Sequence, residues 1–168
     1  MKVLDHRDIQ LRIKRLAIEI LENNIQEKRL VLAGINNNGL YFAQLLRQSL
    51  QEQAPMPVEL TRIRLNPANP IEKPAQLETE AQQLHNSTVI LVDDVANTGR
   101  TLFYACQTLM NTLPKSVQIA VLVDRTHKTF PIKADYVGLA LATTLQEHIQ
   151  VQLGKNGEKP EEIGVFLC

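Results

Sequence analysis

Apolar residues along the chain alternate between helically spaced stripes and short continuous runs. From Asp5 to Asn24 they recur every three or four positions opposite a charged face, which predicts an amphipathic helix. Residues 30–35 are apolar throughout, which is typical of a strand buried on both faces. Leu40 to about Gln51 returns to helical spacing, and residues 58–65 predict a more polar strand.

The second half of the chain continues this alternation. It predicts a strand at 88–92, a helix at 99–113 and a strand at 117–123. Shorter strands are predicted at 136–140, 148–153 and 163–167. The pattern favours an α/β fold with a central, mainly parallel sheet flanked by helices, and a small flap of short antiparallel strands near the C-terminus.

Residues 66–86 break the pattern. Pro67, Pro70 and Pro74 interrupt regular structure, and 78–84 is polar enough for only a short helix. A segment this long inside a compact domain is usually a lid, a binding loop or a disordered segment, and a tolerated surface excursion is the alternative to a functional lid. We expect one domain over 1–168, with 66–86 as a flexible lid.

Composition narrows the function classes. Lys plus Arg and Asp plus Glu both number 18, so the net charge gives no overall electrostatic attraction to nucleic acid or membrane. A local basic patch is still compatible with this balance. Cys106 and Cys168 lie far apart in sequence, which favours reduced thiols and a cytoplasmic protein. The N-terminus lacks a signal-peptide apolar block, and no apolar run reaches membrane-spanning length. The four His residues show no metal-ligand spacing, which argues against a zinc enzyme.

The candidate chemistry lies at 89–101, where an apolar strand is followed by Asp93, Asp94 and a turn that contains Gly99. A strand, a glycine turn and a helix start together point several backbone N–H groups at one anion. Thr98 and Thr101 can donate hydroxyl hydrogen bonds there, and Thr98 also suits a helix N-cap. This chemistry fits a monophosphate and lacks the Lys of a Walker A loop.

Two carboxylates beside a phosphate would repel it unless something intervenes. A ribose diol bound to Asp93 and Asp94 resolves the conflict, and so does Mg²⁺ held partly by the substrate. A 5-phosphoribosyl group offers both phosphate and diol. The alternative is a charged strand end that only caps a helix.

Residues 89–101 resemble the PRPP-binding signature of type I phosphoribosyltransferases. Residues 119–127 and 131–138 are similar to the PyrR branch of that family, whose members are bacterial pyrimidine-operon attenuation regulators and uracil phosphoribosyltransferases. The N-terminal half, in 15–20 and 32–43, and the tail at 151–153 are similar too. The likeness is weakest over 66–86.

The resemblance implies a role for each matching residue. Asp93 and Asp94 would bind the ribose hydroxyls and Mg²⁺. The 5-phosphate would be held by Ala96, Asn97, Thr98, Gly99, Arg100 and Thr101. The pyrophosphate would face Ile35, Asn36, Asn37, Asn38 and Gly39, where family members often carry a cis peptide. The base would lie near Tyr136 and Val137 with Asp124 and Arg125 alongside, although Tyr136 alone reads equally well as a core aromatic.

Three departures from the family pattern change the expectation. Asn36–Asn38 stand where relatives usually place Lys and Arg, and neutral amides bind an anion more weakly than charged donors do, which predicts weakened catalysis. Asn97 stands where purine enzymes often carry an acid, which leans away from purines. The 66–86 segment lacks the richness in Ser, Thr and Lys that is usual in the family.

The resemblance predicts transfer of the phosphoribosyl group from PRPP to uracil, giving UMP and pyrophosphate, by a homodimer or higher homo-oligomer. The first alternative is a nucleotide-sensing regulator that contacts RNA, and the second is transfer to another base such as a purine. The candidate RNA contacts are Arg125, His127, Lys128 and Lys133, with Lys14 and Arg15 on the first helix. These residues also fit an ordinary solvated surface.

Overall fold

The computed structural model describes residues 1–144 and 146–168. Its strands are β1 (Lys2–Asp5), β2 (Leu30–Ile35), β3 (Val58–Arg64), β4 (Gln76–Leu77), β5 (Thr88–Ala96), β6 (Ser116–Arg125), β7 (Tyr136–Leu141), β8 (Ile149–Gln152) and β9 (Gly164–Leu167). Its helices are α1 (His6–Asn24), α2 (Asn36–Gln51) and α3 (Arg100–Ala105). None of the helices in the described residues is both long and apolar enough to cross a membrane.

Six strands form the central sheet in the order β4-β3-β2-β5-β6-β7. All neighbours pair in parallel except β4, which runs antiparallel to β3. The predicted α/β architecture is therefore confirmed. In this order β2 and β5 are adjacent although they are not consecutive in the chain, so their carboxyl ends meet at one edge of the sheet.

The sheet separates two apolar layers. Leu30 and Leu32 of β2 pack toward α1 and α2, while Val31 and Ala33 pack with Leu102 of α3 on the other side. Because both faces are covered, β2 is buried along its whole length, which explains its continuous apolar run.

Helix α1 confirms the first predicted element. Asp5 caps it, accepting a hydrogen bond from the Asp8 N–H at 2.8 Å, while the Asp8 carboxylate accepts from the Asp5 N–H at 3.1 Å. The apolar stripe of the helix is buried against the sheet, as the sequence pattern predicts.

Two helix boundaries differ from the prediction. Helix α2 begins at Asn36, four residues before the apolar spacing starts, so residues 36–39, between the predicted strand and the predicted helix, form its first turn. Helix α3 ends at Ala105 and continues only as a 3₁₀ turn over Cys106–Leu109. The Thr108 hydroxyl donates to the Ala105 carbonyl at 2.9 Å, and such side-chain bonds compete with a regular helical ladder.

The three remaining strands form a second, antiparallel sheet in the order β1-β9-β8. This sheet confirms the predicted flap and adds β1, which the sequence pattern does not reveal. Within 66–86 the chain forms β4 and a 3₁₀ turn at Ala81–Leu84, the latter close to the predicted short helix.

Candidate active site

A cleft of about 930 Å³ opens where β2 and β5 end. Its walls come from the start of α2, from the segment after β3, from the end of β5 and from the flap. The lining residues are Ile35, Asn36, Asn37, Asn38, Arg64, Leu65, Asn66, Pro67, Glu72, Lys73, Pro74, Gln76, Asp93, Asp94, Val95, Asn97, Thr101 and Ile149. The structure thus brings the predicted carboxylates and the predicted pyrophosphate segment to one site.

The two carboxylates differ in burial. Asp93 is 8% exposed and accepts a hydrogen bond from the Asp94 N–H at 3.0 Å, whereas Asp94 is half-buried and accepts from the Val95 N–H at 2.9 Å. Burial raises the pKa of the Asp93 carboxyl well above its ordinary value, and the neighbouring Asp94 carboxylate raises it further. Asp93 therefore holds its proton more readily than an exposed acid.

The predicted phosphate turn surrounds a second cavity of about 440 Å³. It shares five lining residues with the main cleft, which are Pro67, Asp93, Val95, Asn97 and Thr101. Gly99 has φ of 87°, a left-handed conformation that favours glycine, and it is the N-cap of α3, the position expected for Thr98. The Thr98 hydroxyl accepts from the Arg100 N–H at 3.3 Å. The predicted residues Ala96–Thr101 all line this cavity.

Three aromatic rings pack beside the turn. Phe130 lines this second cavity, and its ring centroid lies 5.4 Å from that of Phe103 and 6.3 Å from that of Tyr104. The N–H groups of Thr129 and Phe130 donate to the Thr98 carbonyl at 3.1 and 3.2 Å, which ties this cluster to the turn.

Two glycines bring the start of α2 against the sheet. A Cβ on Gly34 would lie 2.3 Å from Leu40 Cα, and one on Gly39 would lie 2.6 Å from the Val92 carbonyl oxygen of β5. All peptide bonds of the described residues are trans, so the cis peptide suggested by the resemblance is not found. The chain turns instead at Asn36, with φ of 53°.

Sequence reasoning missed two cations at the cleft, Arg64 and Lys73. Arg64 is the last residue of β3, which ends at the same edge as its parallel neighbour β2, and that adjacency was the available signal. Another cation, Arg100, connects two parts of the site. Its guanidinium donates to the Pro67 carbonyl at 2.6 Å and so joins the predicted phosphate turn to the 66–86 segment.

The predicted residues Asp124 and Arg125 form a network beside the turn and outside the lining of the cleft. Lys128 donates to Asp124 Oδ1 at 2.5 Å and to the Asn97 carbonyl at 3.0 Å. Arg125 donates to Asn97 Oδ1 at 3.3 Å and to Thr143 Oγ1 at 2.6 Å. These contacts hold Asn97 in place.

The proposed base-stacking role of Tyr136 is corrected by the structure. Tyr136 is 2% exposed in the core, its hydroxyl donates to Gln118 Oε1 at 2.7 Å, and that hydroxyl accepts from Asn24 Nδ2 at 3.2 Å. Its ring belongs to the apolar core between the sheet and α1, and its partner Asn24 is the last residue of α1, so the ring is directed away from the cleft. Val137, next to it, does not line the cleft either. Ile149 of β8, which sequence reasoning missed, lines the cleft together with the apolar Leu65 and Val95.

The predicted basic residues are only partly free to meet a partner. Arg15 donates to the Gly138 carbonyl at 2.9 Å and pairs with Glu19 at 3.3 Å, while Lys128 is held by Asp124. Lys14, His127 and Lys133 are exposed.

The donor set at the cleft bears on a metal ion. No group of three or more His, Cys, Asp or Glu side chains within 1–144 and 146–168 could hold an ion. Asp93, Asp94 and Glu72 are the acidic residues that line the cleft, and their carboxylate oxygens are of the kind Mg²⁺ prefers, so an ion here would need substrate oxygens to complete its shell.

The family model for the phosphoribosyl transferase domain matches residues 2–154. The match spans the central sheet and the whole cleft, and the chain therefore belongs to the phosphoribosyltransferase family.

Curated relatives place it within that family as a phosphoribosyltransferase of PyrR type. The Bifunctional protein PyrR of Bacillus pumilus is 34% identical over 166 residues, covering 91% of this chain and 90% of the relative. The Bifunctional protein PyrR 2 of Lactiplantibacillus plantarum is 37% identical over 161 residues, covering 92% of both. The Pyrimidine operon regulatory protein of Lactococcus lactis subsp. lactis is 34% identical, covering 92% and 91%.

Solved structures support the fold. The hypoxanthine phosphoribosyltransferase of Trypanosoma cruzi superposes with a TM-score of 0.80 at 20% identity, covering 99% of this chain and 95% of the other. A hypoxanthine-guanine phosphoribosyltransferase from Bacillus anthracis gives a TM-score of 0.69 at 18% identity, covering 84% and 82%. The type I phosphoribosyltransferase fold expected from the sequence is confirmed.

Proposed function

We propose that the chain transfers the 5-phosphoribosyl group of PRPP to uracil and releases pyrophosphate. The observation that carries the proposal is the order of groups along one edge of the sheet. The phosphate turn lies on one side of Asp93 and Asp94, and the amides of Asn36–Asn38 lie on the other. That order matches the 5-phosphate, the ribose diol and the pyrophosphate of PRPP.

In the proposed reaction, N1 of uracil forms a bond to C1 of the ribose as the bond from C1 to the pyrophosphate oxygen breaks. The N1 proton passes to solvent or to the departing pyrophosphate. The chain positions the two reactants, because the turn donates to the phosphate while Asp93 and Asp94 accept from the ribose hydroxyls. Mg²⁺ held by these carboxylates and by the substrate would neutralise charge on the leaving pyrophosphate.

The choice of a pyrimidine rests on Asn97. This residue lines both cavities, and its Oδ1 accepts from Arg125 at 3.3 Å, which leaves the amide nitrogen as the free group. An amide cannot take a proton from a purine ring nitrogen, whereas the acid that purine enzymes of this class often carry there can. Ile149 offers an apolar wall against which a flat base could pack.

The 66–86 segment is proposed to close over the bound substrates. Asn66, Pro67 and Lys73 already line the cleft, and the bond from Arg100 to the Pro67 carbonyl links the segment to the phosphate turn. Closure would exclude water from the reacting centre.

Incubating the chain with PRPP, Mg²⁺ and a panel of bases tests the proposal. We expect UMP from uracil, with slower or no product from purines. The Asp93→Asn, Asp94→Asn double variant serves as the control and should lose the product. A purine accepted in preference to uracil would contradict the pyrimidine assignment, and turnover that persists in the double variant would contradict the site.

A second function, regulation through RNA, is favoured by one observation: a relative at 34% identity is named a Pyrimidine operon regulatory protein. The exposed Lys14, His127 and Lys133 are the candidate contacts on this chain. If several phosphates are contacted, RNA affinity should fall steeply and log-linearly with salt. Fluorescence anisotropy with a labelled pyrimidine leader RNA at several salt concentrations tests this. A Lys14→Ala, Lys133→Ala variant that binds with unchanged affinity and salt slope would remove these residues from the interface.

A further inference from the structure

Residues 36–38, which the proposed function places at the pyrophosphate, carry no charged side chain, yet two of their amides are held in one orientation. Asn36 Oδ1 accepts a hydrogen bond from the Leu65 N–H at 3.0 Å. Asn37 Oδ1 accepts one from Arg62 Nη1 at 2.7 Å. Both asparagines line the cleft.

These partners determine which end of each amide is free. A backbone N–H and a guanidinium can only donate, so each bond must engage the amide oxygen. The groups left over are the two Nδ2 atoms, each with two N–H donors. Donors are what the oxygens of a phosphate or pyrophosphate require.

Arg62 acts on this segment mainly through Asn37. The Arg62 side chain is 18% exposed, and it also donates to Glu78 Oε1 from Nε at 2.9 Å and from Nη2 at 2.6 Å. Glu78 therefore offsets much of the Arg62 charge, and hydrogen bonds to this arginine and to Arg64 lower the pKa of the Glu78 carboxyl. What remains for Arg62 to supply is the orientation of the Asn37 amide.

We propose that Asn36 and Asn37 form a donor-only amide cradle for the pyrophosphate oxygens of the substrate, with Arg62 as the positioning residue for Asn37. The inference rests on the proposed function, because it takes PRPP as the substrate. It explains how a segment without Lys or Arg binds a highly charged group.

The isosteric change Asn37→Asp distinguishes a purely structural role of the Arg62–Asn37 bond from a role in binding pyrophosphate. Asn37→Asp keeps the oxygen that binds Arg62 and converts the bond into an ion pair, so a structural bond is preserved or strengthened. The same change replaces the free Nδ2 donor by an acceptor. If the amide binds pyrophosphate, the variant must therefore lose affinity without losing stability.

Isothermal titration calorimetry with inorganic pyrophosphate and Mg²⁺ tests this directly. We expect Asn37→Asp to weaken binding about tenfold or more, and the uncharged Asn37→Leu to weaken it about three- to tenfold, the range for one lost hydrogen bond. Urea unfolding should show Asn37→Asp at least as stable as the parent. Unchanged pyrophosphate affinity in Asn37→Asp, or no binding by the parent chain, would overturn the proposal.

A double-mutant cycle tests the role of Arg62. Arg62→Leu should weaken pyrophosphate binding about threefold or more in the parent but have little further effect in an Asn37→Leu background. Arg62→Lys, which keeps one donor, should restore part of the affinity. Arg47 supplies the matched control, since its Nε also links α2 to β3 by donating to the Val58 carbonyl at 2.8 Å, at the far end of both elements. Additive losses, or an equal loss in Arg47→Leu, would refute the positioning role.

UMP binding separates failure of this inference from failure of the proposed function. UMP carries the phosphate, the diol and the base but no pyrophosphate, so its affinity should be the same in Asn37→Asp and in the parent. If the parent fails to bind UMP but still binds pyrophosphate more tightly than the Asn37 variants do, the proposed function is wrong and the cradle stands. If UMP binds and uracil reacts but the variants bind pyrophosphate equally, the cradle is wrong and the proposed function stands.

Discussion

The Asp93 carboxyl group is buried at the end of β5, next to a second acid. Burial raises its pKa, and Asp94 raises it further. An acid whose pKa is raised in the folded state binds its proton more tightly there than in the unfolded chain. Stability therefore falls as pH rises from the ordinary aspartate pKa of 3.8 through the raised value. Above that window, the residue lowers the stability of the fold.

Asp93→Asn should consequently raise the free energy of unfolding at pH 7, by about 1–3 kcal/mol. The asparagine retains an oxygen to accept the Asp94 N–H, so only the buried charge is removed. Urea unfolding across a pH series should show the gap between variant and parent widening as pH rises. The same variant should lose phosphoribosyl transfer. A variant less stable than the parent at pH 7 would show that the ionised carboxylate contributes to folding.

The sequence predicts part of this site and misses the rest for identifiable reasons. Asp93, Asp94 and the turn are contiguous, so their chemistry is visible in one segment. Arg64 and Ile149 come from other strands, and only the pairing of strands brings them to the cleft. Tyr136 was misplaced because a sequence does not reveal where a strand residue points its side chain, and this one is buried in the core against Asn24 and Gln118.

At the scale of elements, the position of α2 depends on its close approach to the sheet. Gly39 lies so near β5 that a Cβ would sit 2.6 Å from the Val92 carbonyl oxygen. Backbone this close leaves no room for a side chain. The contact sets where Asn36–Asn38 stand relative to Asp93, the residue after Val92.

Gly39→Ala should therefore destabilise the fold by about 1–3 kcal/mol through overpacking, despite the higher helix propensity of alanine. It should also weaken pyrophosphate binding, because the start of α2 must move away from β5. Urea unfolding and calorimetry measure the two effects. Gly157→Ala is the control, because Gly157 has positive φ but open space around it. Backbone strain should lower the stability of this variant without changing its affinity for pyrophosphate. A Gly39→Ala variant with parental stability would contradict the close packing.

The elements themselves follow closely from the apolar pattern, with informative exceptions. Strand β2 is predicted at its observed bounds because a fully buried strand is apolar throughout. The start of α2 is missed because Asn36–Asn38 carry no apolar signal, and the left-handed Asn36 is fixed by tertiary contacts. Strand β1 is too short to show periodicity and is defined by its partner β9.

At the scale of the whole molecule, the flap and the central sheet share one apolar core. Leu4 of β1 and Val165 of β9 pack in the same cluster as Ile9 of α1 and Leu122 of β6. Strand β9 in turn pairs with β8, which carries Ile149 to the cleft. The wall proposed to meet the base is therefore held by strands from opposite ends of the described chain.

Val165→Ala should lower the free energy of unfolding by about 2 kcal/mol, because Val165 is fully buried. Loosening β9 should raise the KM for uracil while leaving pyrophosphate affinity near that of the parent. Steady-state kinetics measures the KM for uracil, and calorimetry measures the affinity for pyrophosphate. If Val165→Ala weakens the binding of uracil and of pyrophosphate equally, the flap does not act on the base alone.

The aromatic cluster beside the phosphate turn gives the protein a built-in optical signal. The chain has no Trp and three Tyr, and phenylalanine emits only weakly, so tyrosine dominates its ultraviolet emission. The ring centroid of Tyr104 lies 6.3 Å from that of Phe130, which lines the cavity at the predicted phosphate turn. Filling that cavity should change the emission of Tyr104, and Tyr104→Phe should remove the change. Ligand titrations can thus be followed by fluorescence without any attached dye.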